Sequence, residues 1–140
     1  MTVRPAHLFV YGTLMRAANG WRLGKPQRER LARESTFIAA ATIAARLYDL
    51  GNYPGLLLSD DPVDVVHGEI LALADPGHSF DWLAPYESIV PGREADSEYR
   101  REKVTARLAD GTAITAWTYV YNHDLSAAAA VPGGRWLARG

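Results

Sequence analysis

The chain has 140 residues, 48% of them hydrophobic and 22% charged, with no Cys, which fits one domain over residues 1–140 and excludes disulfides, thiolate metal sites and Cys nucleophiles. Lys plus Arg number 15 and Asp plus Glu 16, a formal net charge of -1, and that balance argues against a dedicated nucleic-acid binder. Oxygen and nitrogen chemistry remains, in a chain long enough to hide roughly two thirds of its extended surface.

The run His7-Leu8-Phe9-Val10-Tyr11 is β-branched and aromatic and breaks at Gly12, so it reads as a strand ending in a tight turn. It is too short for a membrane span or a signal-peptide core, so a cytoplasmic protein with no membrane partner is expected. Residues 16–33 carry Arg16, Arg22, Lys25, Arg28, Arg30 and Arg33 against Glu29, which predicts a solvated loop passing into a short helix. The alanines between Thr36 and Leu50 permit a helix. A long strand is preferred, because Gly51, Pro54 and Gly55 follow as turn signals and the next apolar run, Leu56-Leu57-Leu58, is too short for a helix. Asp60, Asp61 and Asp64 lack the spacing of a calcium loop and read as a solvated turn. Val65 to Leu73 alternates as a strand, with Gly68 marking a bulge or a close approach.

Asp75-Pro76 reads as an N-cap followed by Pro at the first helical position, opening a short helix through Phe80, Trp82 and Leu83 that Pro85 limits. Pro91-Gly92 then begins an irregular loop. Lys103 to Leu108 and Ile114 to Tyr121 flank Asp110-Gly111 as a hairpin. The period of two puts Trp117, Tyr119 and Tyr121 on one face. That face either lines a pocket or packs in the core, the second being preferred, and a buried Tyr119 or Tyr121 seeks a partner for its hydroxyl. The sum is an α+β chain: five or six mostly antiparallel strands curled into a sheet or small barrel, with one or two short helices.

Three positions draw attention for chemistry. Gly12 follows an apolar strand directly, so the backbone can turn there and a ligand can approach without meeting a Cβ, with successive N–H groups converging on an oxygen. Glu87 ends a short apolar helix beside Tyr86, where partial desolvation would raise a carboxyl toward the range of a general base. Glu69 sits mid-strand in His67-Gly68-Glu69-Ile70, and alternation alone makes it an outward-facing polar residue. Taken singly, each also reads as a plain strand end or a solvated acid. His7, His67, His78 and His123 show no H-x-H or H-E-x-x-H spacing, so no metal site is expected. A G-x-S-x-G elbow and the phosphate-binding glycine patterns are absent too.

In order along the chain, these segments resemble the gamma-glutamylcyclotransferase-like family. The resemblance runs through Phe9-Val10-Tyr11-Gly12-Thr13-Leu14, Leu47-Tyr48-Asp49-Leu50-Gly51 with Tyr53-Pro54-Gly55, Gly68-Glu69, and Leu83 with Tyr86-Glu87. It continues through Tyr99-Arg100, Trp117 with Tyr119-Val120-Tyr121, and Gly134 with Trp136, nearly the whole chain. It implies a small mixed, mostly antiparallel β-barrel flanked by short helices, with a pocket for the gamma-glutamyl group of a small-molecule substrate. Glu87 is then the general base, and Tyr11, Gly12, Thr13, Leu14, Tyr53 and Tyr119 form the substrate-binding set, the tyrosine-glycine loop acting through backbone N–H groups. The implied reaction is intramolecular: the substrate's α-amino nitrogen attacks its own side-chain carbonyl, 5-oxoproline forms and an amine leaves. That scheme requires no metal and no cofactor. Departures from the common pattern at Arg16-Ala17-Ala18-Asn19, Ala84, Ser88 and Arg135 fall on the leaving-group side of the implied pocket and leave the departing amine undefined. The alternative is a non-catalytic small-molecule binding or interaction module on the same fold. A carboxylate pair of Glu69 and Glu87 acting on a sugar-like substrate is a third reading.

Overall fold

The computed structural model describes residues 6–12, 14–18, 24–51, 53–86 and 97–136. Its elements are β1 (Ala6–Val10), α1 (Lys25–Glu34), β2 (Ser35–Asp49), β3 (Pro54–Leu58), β4 (Val65–Leu73), α2 (Pro76–Tyr86), β5 (Tyr99–Leu108), β6 (Ala113–Tyr121) and β7 (Ala129–Ala130). Short 3₁₀ turns occupy Arg16–Ala18 and Pro132–Gly134. Five strands run in the order β2-β4-β1-β6-β5, and pairing of β5 back onto β2 closes them into a barrel. All of these pairs are antiparallel except β1 with β6, where Leu8 meets Trp117. The end of β2 extends past the barrel and pairs with β3 and β7.

Alternation along the strands sorts the side chains into two cores. Phe9, Ala41, Ile43, Ala45, Val66, Ile70, Ala106, Ala116 and Val120 form the inner cluster, sealed by Val131 and Trp136. Alanines at four of those positions suit the narrow interior of a five-stranded barrel. The opposite strand faces carry Leu8, Val10, Leu71, Leu73 and Tyr119, which pack against Leu31 of α1 and Leu83 of α2. Because helices cover this outer face, β4 is buried on both sides over most of its length.

Two glycines set close approaches. A Cβ on Gly68 would lie 2.3 Å from the Val10 carbonyl oxygen and 2.6 Å from the Phe9 ring, so the close-approach reading holds and β1 lies directly on β4 there. A Cβ on Gly134 would lie 1.9 Å from the Val65 carbonyl oxygen, and its φ of 64° is in the left-handed region. Gly134 and Trp136 therefore close one end of the barrel, which is a packing role.

Most expected elements are present, with physical corrections. α2 starts at Pro76, and Asp75 caps it, its Oδ1 accepting the His78 amide at 3.3 Å and its carbonyl accepting the Ser79 amide at 3.0 Å. The helix runs one residue past Pro85. In the hairpin, the Gly111 amide donates to the Leu108 carbonyl and the Leu108 amide to the Thr112 carbonyl, so residues 109–111 make a three-residue connection. The basic run does lead into a helix, yet Arg28 is buried within it beside the fully buried Leu31. The irregular loop expected from Pro91-Gly92 lies outside the described residues.

One carboxylate ties the two helices together. Glu34, the last residue of α1, accepts from Ser79 Oγ at 2.7 Å, Trp82 Nε1 at 2.8 Å and Arg30 Nε at 3.0 Å. His78 Nε2 stands 3.3 Å away. Burial alone would raise this carboxyl, but the hydrogen bonds from Trp82, Ser79 and Arg30, with the His78 ring nearby, hold it down at about 2.

Candidate active site

The end of β1 and the start of β3 meet at Gly12. The residue is half-buried, and a Cβ built on it would lie 3.1 Å from Pro54 Cγ. Its φ is not among the positive values of this chain, so the requirement for glycine here is steric room against Pro54. Behind it, Tyr11 is buried, its ring stacked on Phe9 and its hydroxyl donating to the Tyr119 carbonyl at 2.6 Å. That bond ties the turn to β6. From the other side, the Tyr99 hydroxyl donates to the Pro54 carbonyl at 2.5 Å, and the Tyr99 ring meets Tyr121 edge to face.

The backbone after Gly12 is organised by its own bonds. Met15 donates its amide to the Gly12 carbonyl at 3.1 Å, and Ala18 to the Met15 carbonyl at 2.9 Å. Arg16 donates its amide to Glu69 Oε1 at 2.5 Å, while its guanidinium lies 3.7 Å over the Phe37 ring. Among the described residues, the amides of Gly12 and Leu14 donate to no protein acceptor. Leu14 itself is anchored in the outer core.

The sequence-derived site set is thus partly gathered. Tyr11, Gly12, Leu14 and Tyr119 stand together at one end of the barrel. Tyr53 adjoins them through Pro54, but it is 41% exposed. Its hydroxyl hydrogen-bonds Glu98, and burial, the Glu98 carboxylate and Tyr121 push the phenol above its ordinary value. Thr13 and Glu87 lie outside the described residues. The aromatic face of β6 packs against the outer core, with Tyr119 buried and Trp117 and Tyr121 at its margin, in line with the packing reading.

Glu69 corrects the expectation of an outward polar residue. It is 6% exposed, opposite Val10 on one side and Ala40 on the other. Alternation puts Glu69 on the outer face, but residues 14–16 cover it there, Leu14 and Met15 packing in the outer core and Arg16 donating its amide to the carboxylate, which a local pattern does not reveal. Sequence reasoning assigns no role to Tyr99 or Glu98; Tyr99 stands in the Tyr99-Arg100 stretch of the resemblance, whereas no local signal marks Glu98. A separate groove of about 370 Å³, lined by Arg46, Tyr48, Asp64, Val131 and their neighbours, contains none of the expected site residues. Its Arg46 and Asp64 are bound to each other at 2.8 Å. Among the described residues, no cluster of His, Asp or Glu is arranged to hold a metal ion, and no helix is long and apolar enough to cross a membrane.

A barrel with a tyrosine-glycine turn at its rim defines the class, and the family follows from the sequence as a whole. The family model for gamma-glutamyl cyclotransferase, AIG2-like, matches residues 8–138, and the chain belongs to that family. Solved structures agree on the fold. A uropathogenic E. coli-specific protein superposes with a TM-score of 0.65 at 23% identity, over 99% of this chain and 95% of the other. An AIG2-like protein from Mus musculus gives 0.64 at 21% identity, over 87% and 81%. A gamma-glutamyl cyclotransferase gives 0.59 at 13% identity, over 91% and 70%. No curated protein sequence matches the chain significantly.

Proposed function

We propose that this chain is a single-domain cyclotransferase that releases an amine or amino acid from a gamma-glutamyl conjugate and forms 5-oxoproline. The observation that carries the reading is the Gly12 turn, where the Gly12 and Leu14 amides have no protein acceptor among the described residues. Two such donors suit the carboxylate or the developing oxyanion of a glutamyl group.

In the proposed reaction, Glu87 takes a proton from the substrate's α-amino group. The freed nitrogen attacks the side-chain carbonyl carbon, a new C–N bond closes the five-membered ring, and the carbonyl oxygen becomes an oxyanion. Collapse of that intermediate breaks the bond to the departing amine, which takes up the proton. Nucleophile and electrophile belong to one molecule, so holding the substrate folded gives a high effective concentration. The rest of the barrier falls to proton transfer and oxyanion stabilisation.

The test is incubation with a panel of gamma-glutamyl amino acids, dipeptides and amines, followed by quantification of 5-oxoproline and of the freed amine. Stoichiometric release of both from at least one conjugate supports the reading. Binding without turnover across the panel favours the non-catalytic module instead.

A further inference from the structure

We propose that Glu69 is the positioning residue of this site, holding residues 14–18 against Gly12 so that the Gly12 and Leu14 amides face the ligand. The inference rests on the functional reading above and adds a residue that, in that reading, touches no substrate.

A carboxylate in the middle of a barrel strand is costly unless donors meet it, because burial removes the water that stabilises its charge. Glu69 is 6% exposed, between Val10 and Ala40 in the ladder. An apolar residue would fill that place at lower cost, so what the carboxylate bonds is informative. Its Oε1 accepts the Arg16 amide, 53 positions away in sequence. A carboxylate only accepts, and a charge-assisted bond of this kind fixes the plane of the peptide it meets.

The anchor itself is rigid. Gly68, the preceding residue, lies so close to the Val10 carbonyl and the Phe9 ring that no Cβ fits, and the ladder pairs Glu69 with Val10 on β1 and Ala40 on β2. The segment it holds is short and continuous with the turn: Met15 closes back onto Gly12, and Ala18 onto Met15. Fixing the Arg16 amide fixes the peptide joining it to Met15, and the Met15 amide carries that hold back to the Gly12 carbonyl. Arg16 has a second hold through its guanidinium on Phe37, but an exposed cation–π contact is a weak constraint on a backbone amide.

Three variants separate holding from mere packing. Glu69→Ala removes the acceptor; Glu69→Asp keeps charge and burial but draws the carboxylate back by one methylene; Glu69→Gln keeps an acceptor oxygen at full reach. Amide hydrogen exchange by NMR reads the Arg16 bond, and titration with gamma-glutamylalanine reads the site. In the Ala and Asp variants, Arg16 exchange is expected to accelerate at least tenfold while the β1–β4 ladder keeps its protection, and Kd is expected to rise at least tenfold. The Gln variant should stay within about threefold of wild type on both. If Glu69→Ala does not fold, Glu69→Asp carries the test.

Unchanged Arg16 exchange in a folded Asp variant overturns the proposal. So does accelerated exchange with Kd still within twofold, which would make Glu69 a structural tie alone. A wild-type protein that binds no gamma-glutamyl conjugate overturns the functional reading itself, and the exchange measurement then still decides whether Glu69 holds the segment.

Discussion

Glu34, at the end of α1, gathers side-chain donors from two helices, whereas Glu69, in the middle of β4, reaches a backbone amide of the segment that follows β1. The first joins elements whose positions are already set by Leu31 and Leu83 in the outer core. The second acts on the backbone of a segment whose Leu14 and Met15 side chains pack in the outer core but whose Gly12, at the turn, contributes no side chain. Deleting similar bonds should therefore have different consequences. Around Glu34 the neighbouring core shares the work, and the loss is one of stability. At Glu69 the loss is one of shape, and it falls on the amides assigned to the ligand.

The comparison sharpens most through a third carboxylate. In the proposed reaction the proton-accepting role belongs to Glu87, whereas Glu34 and Glu69 are engaged by protein donors. Glu87→Gln is nearly isosteric and keeps its hydrogen-bonding capacity toward the substrate amine, yet it accepts no proton. Turnover is expected to fall by about a hundredfold to ten-thousandfold, with melting temperature and ligand affinity close to wild type. Steady-state kinetics beside a thermal melt checks this. Turnover within about threefold of wild type, a barrier change well under about 1 kcal/mol, removes Glu87 as the base.

Next in size is Gly12→Val. The structure narrows the reason to contact with Pro54, since a first side-chain atom already meets Pro54 Cγ at 3.1 Å and a branched one meets it harder. Affinity for a gamma-glutamyl ligand is expected to fall at least tenfold, equivalent to about 1.4 kcal/mol, while the melting temperature changes little. Calorimetric titration on the folded variant decides the matter. Wild-type affinity there makes the turn a structural feature only.

The smallest effect belongs to Glu34. Its folded pKa of about 2 lies below the ordinary carboxyl value of 4.5, so its bonds contribute fully above that upper value and are lost as pH falls toward the lower one. Glu34→Gln keeps acceptor capacity for Trp82 and Ser79 but loses the charge that meets Arg30 and His78. A destabilisation of about 1 kcal/mol is expected near neutral pH, shrinking as both proteins are taken from about pH 4.5 toward pH 2. Denaturant melts across that range test it, and parallel curves with no convergence in acid contradict the assignment. Turnover at neutral pH should be unaffected.

Much of the fold was legible because it is written in local chemistry. β4 matches its expected bounds, β2 is displaced by a single residue at each end, and α2 begins at the Pro after its Asp cap. The Gly12 turn was legible for the same reason, as a glycine breaking an apolar strand. What escaped is what depends on distant segments meeting. Burial of Glu69 and Arg28, the parallel contact of β1 with β6, and the Tyr99 bond to Pro54 join residues far apart in sequence. Alternation told that Glu69 shares a face with Leu71 and Leu73, but not that the face is covered. Tyr53 illustrates the converse, being picked out by its motif while standing partly exposed with its hydroxyl on Glu98.

The most direct test of the site is a titration of isotopically labelled wild-type protein with a gamma-glutamyl conjugate, followed through its backbone amide resonances. Under the account given, the largest saturable shifts fall on Gly12 and Leu14, with smaller ones at Tyr53 and Tyr119. Saturable shifts centred on Arg46, Asp64 and Val131, with Gly12 and Leu14 unmoved, would contradict it.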